Sequence, residues 1–132
     1  MTVDWVDEYL TGNAQIDSDH RAIVALCNSL WDDDLDSHDV YQTTKFIVRI
    51  VTNHFDDEEI LMKSSDYDKY KEHSLAHQEI QKIFIGIVKQ IKATDHRLTQ
   101  LTLISEFVIE HLINHIKTHD KNLAIYLKGG TS

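Results

Sequence analysis

The side chains with the most chemistry in this sequence are histidines and carboxylates set at helical spacing. The chain of 132 residues holds nine histidines, and several sit on stripes that are otherwise apolar. His54 and Glu58 are four residues apart, as are His73 and His77, so the members of each pair share one helix face about one turn apart. That spacing suits two ligands of one metal or of two adjacent metals. His20 and His115 hold comparable places on two further stripes. Taken singly, each histidine reads as a hydrogen-bonded core residue, and Glu58 as one of the exposed run Asp56-Asp57-Glu58-Glu59. Taken together they do not, because imidazoles and carboxylates buried without partners are costly. Five histidines and a carboxylate in one interior require something that binds them, and two such pairs facing one core point to a binuclear metal site.

Other chemistries lack their residues. There is no His-Glu-x-x-His of a zinc protease, no Cys-x-x-Cys, and no Glu-x-x-His of the ferritin-like di-iron bundles. Neither a serine nor Cys27 has a nucleophile's context, and Gly129-Gly130 is no phosphate loop. Cys27 reads as a small buried hydrophobe.

The elements that must position these residues are helices. Proline is absent and glycine occurs four times, a composition that spares long helices and leaves little for tight β-turns. Four apolar stripes can be followed. The first starts after Asp17 or Ser18 and runs His20, Ile23, Cys27, Leu30, Trp31. The second, capped near Asp36 or Ser37, runs Val40, Thr44, Ile47, Val51, His54, Glu58, Leu61, Met62. After the break at Lys63-Ser64-Ser65-Asp66 the third runs Tyr70, His73, His77, Ile80, Phe84, Ile87, Ile91. The fourth starts after Asp95 to Thr99 and runs Leu101, Ile104, Val108, His111, Leu112, His115. Short connections predict an all-α, antiparallel up-down-up-down four-helix bundle. One domain is expected over 1–132: an irregular arm (1–17) whose Trp5, Val6, Tyr9 and Leu10 pack on the bundle, the bundle itself (18–128) and a tail (129–132). With 42% hydrophobic and 27% charged residues the composition is that of a globular protein. A net charge of −9 repels nucleic acid and anionic membrane surfaces, and no apolar run approaches a membrane span. The single cysteine and an acidic start suggest a reducing, cytoplasmic setting.

At this point a resemblance becomes specific. Trp5, Gly12 and Ile16-Asp17-Ser18-Asp19-His20, then His54-Phe55-Asp56-Asp57-Glu58-Glu59, His73-x-x-x-His77 and His115-Ile116-x-x-x-Asp120 together resemble the hemerythrins, in particular the bacterial ones, over nearly the whole chain. The resemblance implies a four-helix bundle with an oxo- or hydroxo-bridged di-iron centre that binds O2 reversibly. Its metal ligands fall on His20, His54, Glu58, His73, His77, His115 and Asp120. By the same analogy Glu58 and Asp120 bridge the irons, His73, His77 and His115 fill one of them, and His20 and His54 leave the other with an open position. Spacing alone leaves Asp120 in competition with His119 and His111, each one turn from His115; the family pattern selects Asp120. On a regular helix five residues advance about 140° beyond a full turn, so His115 and Asp120 would meet only from opposite flanks of a broad face or through a π-bulge. His119 then reads as a surface residue, and His38 and His96 as helix-junction residues.

The family's apolar pocket for O2 falls on Phe55, Leu112 and Ile116, with two departures. His111 stands where many members carry Trp, and Leu123 where many carry Tyr. Two placements of His111 are open: over the pocket, giving a polar route to the two-histidine iron, or rotated outward, leaving the gap to Leu112 and Phe55. The implied function is O2 carriage, storage or scavenging without enzymatic turnover. The alternative is an O2- or redox-sensing domain acting on a protein partner or a fused output domain.

Overall fold

Helix signals dominate the sequence, and the computed structural model, which describes residues 2–129, is helical with no strand among the described residues. Met1 and residues 130–132, and with them most of the expected tail, lie outside the described residues. The bundle consists of α1 (Ala14–Ser29), α2 (Ser37–Ser64), α3 (Tyr70–Lys92) and a fourth rod. That rod comprises α4 (Arg97–Phe107), a π turn (Val108–Leu112), α5 (Ile113–His115), a second π turn (Ile116–Asp120) and α6 (Lys121–Leu127). Backbone angles stay helical through every junction, so the rod is unbroken. Within the two π turns the backbone N–H of Ile113 donates to the carbonyl of Val108, and that of Lys121 to Ile116. Each bond spans five residues and lodges one extra residue in the turn.

The first helix begins earlier than its stripe suggests. Asn13, not Asp17 or Ser18, is the N-cap, its side chain accepting from the Ile16 N–H at 3.0 Å. Asp17 is buried inside the helix and serves the arm instead. Its carboxylate accepts from the Thr11 N–H and hydroxyl, both at 2.8 Å, and from the Gly12 N–H at 3.2 Å. Gly12 sits at φ 94°, where a side chain would be strained, which lets the chain turn back onto that carboxylate. The arm is therefore shorter than 1–17. It is tied on by paired hydrogen bonds between the Val3 backbone and the Asn28 amide, both 2.8 Å, and by a Glu8–Lys117 ion pair.

The second helix starts at a capping box, Asp36 and Asp39 each accepting from the other's backbone N–H. His96 caps the fourth rod, its Nδ1 accepting from the Thr99 N–H at 3.2 Å. The expected stripes are buried except Trp31, Leu61, Tyr70 and His111, which are half-buried. Cys27 is buried, and burial pushes its thiol up to about 12, so it behaves as a hydrophobe. No helix among the described residues is long and apolar enough to cross a membrane.

Two apolar cores result. The larger fills most of the bundle, with Phe84 and Phe107 stacked at 4.2 Å. The smaller joins Ile16, Met62, Tyr67 and Leu123 near the α2–α3 connection. Between them lies a layer that is not apolar.

Candidate metal centre

That layer gathers seven buried side chains: His20 from α1, His54 and Glu58 from α2, His73 and His77 from α3, and His115 and Asp120 from the fourth rod. The spacing of four on α2 and α3 puts each pair on one inward face, as expected. On the fourth rod the second π turn does the same for residues five apart, bringing His115 Nε2 to 3.2 Å from Asp120 Oδ1. The π-bulge, rather than opposite flanks of a regular helix, is how this chain brings Asp120 to the layer.

The two carboxylates divide the histidines between them, oxygen by oxygen. Glu58 Oε1 lies 3.2 Å from His73 Nε2 and 3.0 Å from His77 Nε2, while Oε2 lies 2.8 Å from His54 Nε2 and 3.9 Å from His20 Nε2. Asp120 Oδ1 faces His73 at 3.0 Å as well as His115, and Oδ2 faces His20 at 2.9 Å. The donor atoms form two groups, each lying within 4.8 Å of one another: Glu58, His73, His77, His115 and Asp120 in one, and His20, His54, Glu58 and Asp120 in the other. Both carboxylates belong to both groups.

These atoms fit a metal better than they fit one another. Among the described residues the Nε2 atoms of His20, His54, His73 and His115, Glu58 Oε2 and both Asp120 oxygens make no well-formed hydrogen bond although buried. Orphaned polar atoms of this number are rare in a folded interior. Imidazole nitrogens and carboxylate oxygens converging at such distances are a cation's donor set.

The electrostatics agree. Burial alone would push the His54 and His73 imidazoles down, but Glu58 and Asp120, with Asp19 also beside His54, more than offset it and raise both to about 9. Burial would push both carboxyls up, and the Asp120 charge would push Glu58 up further. The surrounding histidines nevertheless bring Glu58 to about 2 and hold Asp120 well below the usual carboxylate range. The layer thus keeps two anionic groups in the interior and draws positive charge to them.

Around the layer Phe55, Leu112 and Ile116 are buried, and the Phe55 ring stacks on His77 at 4.0 Å. Leu123 is also buried, in the smaller core. His111 is half-buried in a depression of about 160 Å³ between α3 and the fourth rod, lined also by Ile80, Ile83, Asn114, His115 and His119 and by no residue of α1 or α2. That depression borders His115 of the three-histidine group. His111 lies in the first π turn, and the next two residues, Leu112 and Ile113, are buried. His119 also differs from expectation. It is half-buried and stacked on His115 at 5.2 Å, with burial first and then the charges of His115 and His73 lowering its affinity for a proton. Its position one turn after His115 is the signal for that contact. His38 and His96 are exposed, at the helix junctions where the sequence puts them.

Comparisons with known proteins bear on the same residues. The family model described as the hemerythrin HHE cation binding domain matches residues 11–126. The chain is 23% identical to myohemerythrin of Theromyzon tessulatum over 88% of this chain and 86% of that protein. It is 27% identical to a hemerythrin of Sipunculus nudus over 90% and 91% of the two. Myohemerythrin of Riftia pachyptila is 26% identical over 88% of this chain and 86% of its own length. The matched span runs from the Thr11–Asp17 anchor past Asp120 and so contains every side chain of the buried layer; with all but the last residue of the bundle inside the family's domain, the chain belongs to the hemerythrin family.

Proposed function

We propose that the chain holds two iron ions in the buried layer and binds O2 reversibly at one of them. The carrying observation is the division of each carboxylate between the two groups, with three histidines on one side and two on the other. Glu58 and Asp120 would each help to hold both ions. His73, His77 and His115 serve one iron, and His20 and His54 the other. The iron pair, when bound, supplies the electrons and the one open coordination position that O2 binding needs, and the relatives' names, hemerythrin and myohemerythrin, support iron over other metals.

The protein's own part is positioning and exclusion. Five imidazoles and two carboxylates from four helices fix the metal positions, and each is buried. Phe55, Leu112 and Ile116 keep bulk water from the layer, while His111, in the α3 groove, leaves the apolar lining on that side to Leu112. This is ligand binding rather than turnover. A lone, buried Cys27 suits a reducing cytoplasm.

The test is an optical spectrum of the iron-loaded, anaerobically reduced protein before and after air. A visible charge-transfer band that appears with O2 and disappears under argon is the expected result. Irreversible conversion to the diferric form on first exposure would overturn reversible binding.

A further inference from the structure

Two of the five histidines carry a carboxylate on the ring nitrogen that faces away from the centre, and there is one in each group. His54 Nδ1 lies 3.1 Å from Asp19 Oδ2, and His77 Nδ1 lies 2.9 Å from Glu59 Oε2. Both contacts cross between helices. Asp19 of α1 reaches α2, and Glu59 of α2 reaches α3. Each acid also stands beside a residue of the layer in sequence, Asp19 before His20 and Glu59 after Glu58. By contrast, the Nδ1 atoms of His20, His73 and His115 are buried and have no hydrogen-bond partner among the described residues.

The two acids are themselves held. Glu59 Oε1 accepts from Ser74 Oγ at 2.9 Å and from the Tyr70 hydroxyl at 3.3 Å, so three side chains of α3 converge on it. Asp19 Oδ1 accepts from Gln15 Nε2 at 2.8 Å. Both are partly open to solvent, at 34% and 24% of their side-chain surface.

A neutral imidazole that donates its Nδ1–H to a carboxylate is held in the tautomer whose Nε2 lone pair is free, here aimed inward at a metal. The neighbouring negative charge also makes the ring a stronger donor to a metal. We infer that Asp19 and Glu59 are a matched pair of positioning residues, one for each metal, Asp19 acting through His54 and Glu59 through His77. They fix the tautomer and orientation of one histidine per metal and lower the reduction potential of the metal each serves. This inference rests on the two-metal reading above.

The experiment compares wild type with Asp19→Ala, Glu59→Ala, Asp19→Asn and Glu59→Gln. Metal-free protein is titrated with Co(II) against a chelator, and the reduction potentials of the iron-loaded proteins are measured. Wild type is expected to take up two equivalents. Each Ala variant should weaken one of the two, by about 10–100-fold, and leave the other. The two variants should act on different equivalents, distinguished by which paramagnetically shifted histidine ring N–H resonance is lost. Asn and Gln keep an acceptor for the Nδ1–H but remove the charge. They should restore most of the affinity while the potential stays raised, a change that a merely structural role would not produce. Uptake of two equivalents with affinities and potentials unmoved in all four variants overturns the inference and leaves the two-metal reading standing. Failure of the wild type to take up two equivalents overturns that reading and the inference with it.

Discussion

At Glu58 and Asp120 the usual direction of burial is reversed: groups that should resist ionisation are held ionised, and the His54 and His73 imidazoles beside them are held protonated until about pH 9 in the metal-free chain. A metal must displace those protons. Loading near pH 7 should therefore release protons from His54 and His73, and apparent affinity should climb by up to about tenfold per unit pH for each proton released, levelling off above about pH 9. Isothermal titration in buffers of different ionisation enthalpy counts them, and a pH-independent affinity between 7 and 9 would contradict the charge balance. The same shifts set the stability of the metal-free protein. Because the folded values of His54 and His73 lie above the ordinary histidine value of about 6.5, their contribution is fully present below that pH and disappears as pH rises through about 9. The denaturation midpoint of metal-free protein should accordingly fall between pH 7 and 9. Removing one donor is more local. His77→Ala deletes a nitrogen that only the three-histidine group uses, so it should weaken one metal equivalent by roughly tenfold or more and spare the other, as read by chelator competition.

Helices place these residues with two devices that sequence periodicity conveys unequally. The spacing of four in His54/Glu58 and His73/His77 is that of an ordinary helix, and the pairs meet as that spacing predicts. The spacing of five from His115 to Asp120 does not choose between two geometries, because a π turn is settled by what the rest of the bundle requires of the helix. The first π turn, Val108–Leu112, leaves no sign in the sequence, and His111 within it lines the groove against α3. His111→Trp should therefore fill an outer depression and leave the rate of oxidation in air with the same pH dependence between about 6 and 8. A pH dependence that the substitution abolishes would show that the imidazole reaches the centre. The start of α1 escapes the sequence for a different reason. Asn13, Asp17 and Ser18 are all good caps by type, and only the arm's need for an acceptor assigns Asp17 to Thr11 and Gly12. Asp17→Ala removes a charged acceptor from three donors, two of them on buried Thr11, and should cost about 2–4 kcal/mol in urea denaturation. A loss below about 0.5 kcal/mol would mean that the arm is held elsewhere.

On the scale of the whole molecule the metal layer divides the interior. Above it the larger core packs continuously from Val3 and Leu30 to Phe84 and Phe107; below it the smaller core has Ile16, Met62, Tyr67 and Leu123 with half-buried Tyr70, Tyr126 and Leu127 at its edge. The layer itself contributes little apolar burial, so what would join the small core to the large one is the set of bonds that donors from four helices would make to bound metal. A ligand that binds only the folded state stabilises by mass action, about 2.7 kcal/mol at a hundred times its dissociation constant. Here that stabilisation is unevenly distributed. The large core, with its aromatic stack and aliphatic packing, includes no side chain of the layer, whereas α6, only Lys121–Leu127, is held by Leu123 and Ala124 and by the Tyr126 hydroxyl donating to the Ser65 carbonyl at 2.7 Å. Removal of metal should therefore loosen the molecule from one end. In hydrogen exchange, amides of α6 and of the last turns of α2 should lose protection first and by the largest factor, while those around Phe84 and Phe107 remain slow. Reloading with metal should restore the lost protection. Uniform loss across all four helices would instead show that the two cores unfold as one unit, and that the layer is no boundary between them.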